Sequence, residues 1–126
     1  MTDINNAERL WKDVKCFVEK RLCENHMEMY TTAQKRRFWL IKTTNSFIRV
    51  KRERSKYEHE DIPKKDFIDM WIDLNNPKYI KSGYSRKDLH NGNNWHSAVS
   101  FSLIANLDYI LEVKEKRSLK YFIKKK

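Results

Sequence analysis

Positions 95–107, WHSAVSFSLIANL, hold no Lys, Arg, Asp or Glu in a chain that is 35% charged. A stretch of that kind needs cover. Drawn as a helix, it places Ala98, Val99, Phe101, Leu103, Ile104, Ala105 and Leu107 around most of its circumference. His96, Ser97 and Ser100 then lie nearer one side and form a narrow polar face. A helix apolar on nearly every side belongs in the middle of a fold, so the remaining chain must supply the elements that surround it.

Those elements are legible from periodicity. The 126 residues are 40% hydrophobic, enough to bury one core without a metal or disulfide staple, which predicts one domain, 1–126. With only 2 Gly and 2 Pro, helices with short connections are favoured over a loop-rich sandwich. Within residues 1–30, Ala7, Leu10, Trp11, Val14, Phe17, Val18 and Leu22 recur at three- and four-residue spacings, predicting an outer helix over about 7–27. Met27 and Met29 after it are expected to fill the core. Two β-rich runs, 38–42 and 47–51, flank the turn-forming Thr43, Thr44, Asn45 and Ser46, so 35–56 reads as a basic β-hairpin. On its second strand Phe47, Arg49 and Lys51 alternate with Ile48, Val50 and Arg52. Residues 57–63 read as an acidic connection ending in Pro63.

From there, 64–126 forms a second group. A helix over 64–74 has Phe67, Met70, Trp71 and Leu74 on one face and stops at Asn75, Asn76 and Pro77. Ser85 is placed to N-cap a short helix containing Leu89, and 90–94 is a polar turn before the apolar helix. Strands over 109–113 and 119–123, joined by a charged turn, complete the chain. The expected class is α+β: a helix-turn-helix with a C-terminal β-wing, preceded by a helix and a β-hairpin.

Charge placement then bears on partners. The net charge is +10, yet 1–34 and 57–109 are slightly acidic. The excess sits in 35–56, with nine Lys and Arg against one Glu, and in 110–126, with seven against two. Two basic stripes interleaved with aromatics suit a polyanion, because each neutralised phosphate releases a counterion. Nucleic acid is therefore the expected partner, with duplex DNA first. The contacts would come from Lys35, Arg36, Arg37, Arg49, Lys51, Arg52 and Arg54 in the first stripe, and from Lys114, Lys116, Arg117 and Lys120 in the second.

The order of hairpin, Ile-Pro, helix, turn, short helix, polar turn, Ser-containing helix and terminal hairpin resembles winged-helix DNA-binding domains over 64–126. The pieces FIRVKRERS, DIPKKDF and WHSAVSFSLIANLDYILEV look like modules attached to restriction, phage and other mobile-element or defence proteins. That resemblance implies that the helix after the turn enters the major groove and the wing follows the backbone. Carried over by position, Asn93, Asn94, Trp95, His96, Ser97 and Ser100 would be the base readers. The implied recognition helix has no Arg or Lys, so Asn94 would read adenine, and the hairpins would supply most of the affinity.

Other readings are weighed against this one. Glu112-Val113-Lys114, with Asp88 or Asp108 upstream, has the Glu-x-Lys form of metal-dependent nucleases, but an alternating charged pair on a strand is common. His90, Asn91, Asn94 and His96 hint at a metal site, for which a polar turn capping a helix is the commoner explanation. With no phosphate-cradling glycine loop, no enzyme, metal or cofactor is expected. Cys16 and Cys23, seven apart on one helix, are too distant for a mutual disulfide and suit reduced thiols in a cytoplasmic protein. No membrane span or signal peptide is expected. The alternatives are an interaction protein or inhibitor that binds a protein partner or dimerises through the uncharged helix, and an RNA or single-strand binder stacking bases on Phe38, Trp39, Phe47 or Tyr57.

Overall fold

The chain is described by a computed structural model over residues 7–32, 35–53, 55–92, 97–115 and 118–124, with no side chains described for 90–92. It is an α+β fold with a four-stranded antiparallel sheet and a separate two-stranded sheet. The first helix, α1 (Arg9–Cys23), buries Leu10, Trp11, Val14 and Val18, the inner rows of the predicted stripe. It stops earlier than periodicity suggests. Asn25 takes φ 59, its N–H donates to the Leu22 carbonyl (3.2 Å), and the His26 N–H donates to Arg21 (2.8 Å), the Schellman closure of a helix end.

Ending α1 there frees the next residues for strand β1 (Glu28–Tyr30), where Met29 is buried and its neighbours are not. Met27 is exposed, so only one of the two methionines fills the core. Strands β2 (Arg37–Thr43) and β3 (Phe47–Arg52) form the expected hairpin. The Thr44 hydroxyl accepts from the N–H groups of Ser46 and Phe47, both at 3.1 Å, which fixes the turn. The acidic connection ends as a strand, β4 (Glu60–Pro63), so the hairpin is the middle of a sheet in the order β1-β2-β3-β4. Three- and four-residue edge strands carry too few alternations to be read as strands from sequence. They form because β2 and β3 offer them unpaired backbone groups.

Helix α2 (Lys64–Leu74) follows Pro63 directly and buries Phe67, Met70, Trp71 and Leu74, as its spacing predicts. A further helix, α3 (Pro77–Ser82), follows where no element was expected. Pro77 stands at its start, and the Asn76 side chain caps it by accepting from the Lys78 N–H at 3.0 Å. Gly83 then holds φ 89. A Cβ at that point would meet Phe122 Cζ at 2.8 Å. Asp88 closes the start of the 3-10 segment Arg86–Gly92: its Oδ2 accepts from the Ser85 N–H and hydroxyl at 2.9 and 3.0 Å, and its own N–H donates to the Ser85 carbonyl at 2.9 Å.

The uncharged stretch forms α4 (Ser97–Ile104), and every described residue of it except Ala98 is buried. The hairpin β5 (Ile110–Glu115) and β6 (Ser118–Ile123) closes over it. Tyr84 pairs with Tyr121 through two backbone hydrogen bonds, and Phe101 of α4 stacks between their rings at 5.4 and 4.8 Å. The Thr32 N–H donates to Ser102 Oγ (3.0 Å) and its hydroxyl meets Tyr121 Oη (3.3 Å), which ties the sheet to α4 and β6. One hydrophobic cluster runs from Leu10 through Phe38, Ile48 and Phe67 to Phe101 and Tyr121.

Candidate nucleic-acid interface

Alternation assigns the two faces of the larger sheet. Met29, Phe38, Leu40, Ile48, Val50 and Ile62 point into the core. The other face, directed away from α1, carries Tyr30, Arg37, Trp39, Phe47, Arg49, Lys51 and Asp61. Cross-strand register sets Trp39 beside Lys51 and Arg49 beside Asp61. A register shift between Leu40 and Lys42 leaves Ile41 as an exposed extra residue and turns Lys42 outward, opposite Arg49. Uninterrupted alternation would have put Lys42 on the core face with Phe38 and Leu40, which is why sequence pattern does not find it.

Cations and rings are interleaved on this face. The Arg37 guanidinium lies 5.2 Å from the Trp39 ring centroid, and Phe47 has Arg49 at 5.1 Å and Lys42 Nζ at 5.9 Å. Such contacts hold flat, partly solvated rings in place without burying them. Tyr30 is 53% exposed, and Tyr57, with Lys56 5.4 Å away, is 49% exposed. Phe38 is fully buried and cannot stack on a base, contrary to expectation.

The sheet also supplies carboxylates that the linear charge count placed elsewhere. Asp61 from β4 takes a two-point contact from Arg49, Nε–Oδ1 2.7 Å and Nη2–Oδ2 3.1 Å. Hydrogen bonding from Arg49 holds the Asp61 carboxyl below its ordinary value, partly opposed by burial. Arg37 lies between Glu28 and Glu53, each at 3.5 Å. Arg52 is directed to the core side of the sheet, where its Nε donates to the almost fully buried Glu60 at 2.7 Å. Arg52 is thus a structural ion-pair partner before it is a phosphate ligand. The positive excess of the outer face is smaller than the sequence count, and its most accessible cations are lysines. Lys51 donates to the uncharged Tyr57 carbonyl at 2.6 Å, and Lys42 is exposed.

The other expected contacts are scattered. Lys35 is exposed at the entry to β2 with φ 56, and Arg36 beside it donates its backbone N–H to the Thr31 hydroxyl at 3.0 Å. Lys114 is exposed on β5, whereas Lys120 on β6 reaches the Ser82 carbonyl at 3.4 Å. Arg54, Asn93, Asn94, His96, Lys116 and Arg117 lie outside the described residues. Ser97 and Ser100 are buried and so cannot meet base edges; the Ser97 hydroxyl accepts from Arg86 Nε at 3.0 Å. The same burial removes α4 as an exposed seam for a partner. Its serines are polar by residue type, but they are satisfied inside the fold: Ser102 Oγ donates to the Ala98 carbonyl at 2.7 Å.

Two of the three carboxylates weighed for catalysis are engaged elsewhere. Glu112 Oε2 accepts from Tyr121 Oη at 2.8 Å, Asp88 caps the 3-10 segment, and Asp108 is exposed after α4. Among the described residues, no three His, Cys, Asp or Glu side chains gather as a metal site would require. Cys16 and Cys23 are free and exposed on α1. No described helix is long and apolar enough to cross a membrane. No family model, curated protein or solved structure matches the chain.

Proposed function

We propose that the chain binds nucleic acid on the outer face of its four-stranded sheet, with single strands, DNA or RNA, as the preferred form. The observation that carries the reading is the interleaving of Trp39 and Phe47 with Arg37, Lys42, Arg49 and Lys51 on one solvent-facing surface. Stacking on aromatic rings accepts any base, and flanking cations track the phosphates. Duplex DNA, expected first from the sequence, loses support because the groove-entering helix of the winged-helix scheme is α4, whose Ser97 and Ser100 are buried. A cytoplasmic setting, which the free thiols Cys16 and Cys23 fit, belongs to the same proposal.

Competition among a labelled single strand, the same sequence as RNA, and the duplex tests it, read by fluorescence anisotropy at two salt concentrations. Preference for either single strand, with affinity falling as salt rises, is the expected outcome. Equal or tighter duplex binding overturns the form, and no binding at low salt overturns the reading altogether.

A second reading, an interaction protein with a protein partner, is favoured by a separate observation. Ile80 and Leu111 are 46% and 42% exposed and, with Phe122 and Ile123, line an apolar hollow of about 350 Å³ beside β5 and β6. A defined complex that forms through this face, in protein that binds no nucleic acid, would favour this reading over the first.

A further inference from the structure

A cavity of about 340 Å³ opens where the end of the larger sheet meets the start of α4, and four arginines line it: Arg36, Arg37, Arg52 and Arg86. They come from three separate parts of the chain. Arg36 and Arg37 enter β2, Arg52 ends β3 opposite Phe38, and Arg86 begins the 3-10 segment. No linear charge count brings Arg86 to the other three, because it lies in a segment that is acidic overall. Glu53 is the one carboxylate among the described residues of the wall, and the Thr31 and Ser55 residues add hydroxyl groups. Ala98, half-buried, is the accessible apolar residue of the floor, with the fully buried Phe38 and Val99 behind it.

Several of these groups are held in place from behind. Arg86 Nε donates to the buried Ser97 hydroxyl at 3.0 Å, and Arg52 Nε to Glu60 at 2.7 Å. Arg37 lies between Glu28 and Glu53 at the longer distance of 3.5 Å. Arg86, anchored through Nε, directs the terminal amino groups of its guanidinium as a fork of the kind that fits a phosphoryl group. Three carboxylates touch this cluster, so a doubly charged, compact anion is needed to compete with them. A phosphomonoester carries that charge near neutral pH, and a phosphodiester does not.

We propose that this cavity binds a phosphomonoester, with the oxygens on the arginines and the attached group against Ala98. Its volume is at the lower end of small-ligand sites, which limits the occupant to about one nucleotide or a smaller phosphorylated molecule. Two sources share the chemistry: the phosphorylated end of a nucleic-acid strand, which rests on the proposed function, or a free mononucleotide or phosphate ion, which does not.

The experiment compares strands that carry a 5′-phosphate, a 3′-phosphate or hydroxyls at both ends, together with adenosine 5′-monophosphate, adenosine and inorganic phosphate, by calorimetry on the full chain. In the expected result, a phosphorylated probe binds about tenfold tighter than its phosphate-free counterpart, the scale of one charge-assisted hydrogen-bond pair. Arg86→Gln and, separately, Arg36→Gln abolish that difference, and Arg86→Gln leaves the unphosphorylated strand unaffected. If only the mononucleotide or phosphate shows the effect, the small-ligand source is identified. If hydroxyl-ended strands do not bind at all, the sheet-face reading fails while binding of adenosine 5′-monophosphate still supports the cavity. Phosphorylated and unphosphorylated probes that bind alike, or a difference that survives both substitutions in folded protein, overturn the proposal.

Discussion

Replacing Asp61 with asparagine tests how the sheet controls the charge on its outer face. Asp61 sits across from Arg49 and takes both ends of its guanidinium, at 2.7 and 3.1 Å. While that contact holds, Arg49 offers a phosphate little net charge. The amide would keep the shape and one acceptor but remove the opposing charge, making about one more cation available. For a single strand each additional phosphate neutralised steepens the plot of log K against log salt by about 0.7, so between about 50 and 200 mM salt the variant loses about 2.6-fold more affinity than the parent. D61N should therefore bind more tightly at low salt and converge on the parent as salt rises, which anisotropy titrations with a labelled homopyrimidine strand would record. Arg49→Gln should shift the slope the opposite way or leave it unchanged, never steepen it. An unaltered slope in D61N, or weaker binding at low salt, would refute the idea that β4 screens this surface. Stability gives an independent readout. Because the folded Asp61 carboxyl titrates below its ordinary value, its contribution is complete above the unfolded value of about 3.9 and disappears as pH falls through the lower folded one. D61N should lose that contribution near neutrality and converge on the parent as pH falls below about 4, which flattens the acid limb of its stability profile.

Adjacent residues on β2 should separate function from folding. Trp39→Ala is expected to weaken single-strand binding by about 1–3 kcal/mol with the fold intact, whereas Phe38→Ala, on the core face, should cost about 3–5 kcal/mol of stability in urea denaturation. Gly83→Ala should destabilise by about 1–3 kcal/mol from backbone strain alone. Phe122→Ala removes the 2.8 Å approach but neither the φ of 89 nor Lys120, whose Cδ and Cβ stand at 2.9 and 3.0 Å, so the double variant should recover only part of the loss, as thermal melts would show. Ser100→Asp places a charge inside α4 and should unfold the chain, seen as loss of near-ultraviolet dichroism; a folded Ser100→Asp with altered sequence preference would restore the base-reader role.

Much of this arrangement is written in local sequence. The 3.6-residue spacing of Phe67, Met70, Trp71 and Leu74 gave α2 its boundaries, and alternation in 47–52 told Ile48 and Val50 from Phe47 and Arg49, because those periods are fixed by backbone geometry. The edge strands β1 and β4 escaped notice because they are set by hydrogen bonds that β2 and β3 leave open, and helix α3 because a six-residue helix shows little periodicity. The winged-helix resemblance made α4 look like a reader with a polar tip. Its serines are instead buried, since a hydroxyl can bond to its own helix or to a neighbour and needs no water.

By itself, then, the sequence determined the longer elements, the apolar centre and the location of the basic residues along the chain. Only the tertiary structure decided which of those charges remain effective. Coulomb interactions depend on distance in space, so Asp61, Glu60 and Glu28 from other strands mute Arg49, Arg52 and Arg37, while Arg86 joins them from an acidic stretch to line a cavity.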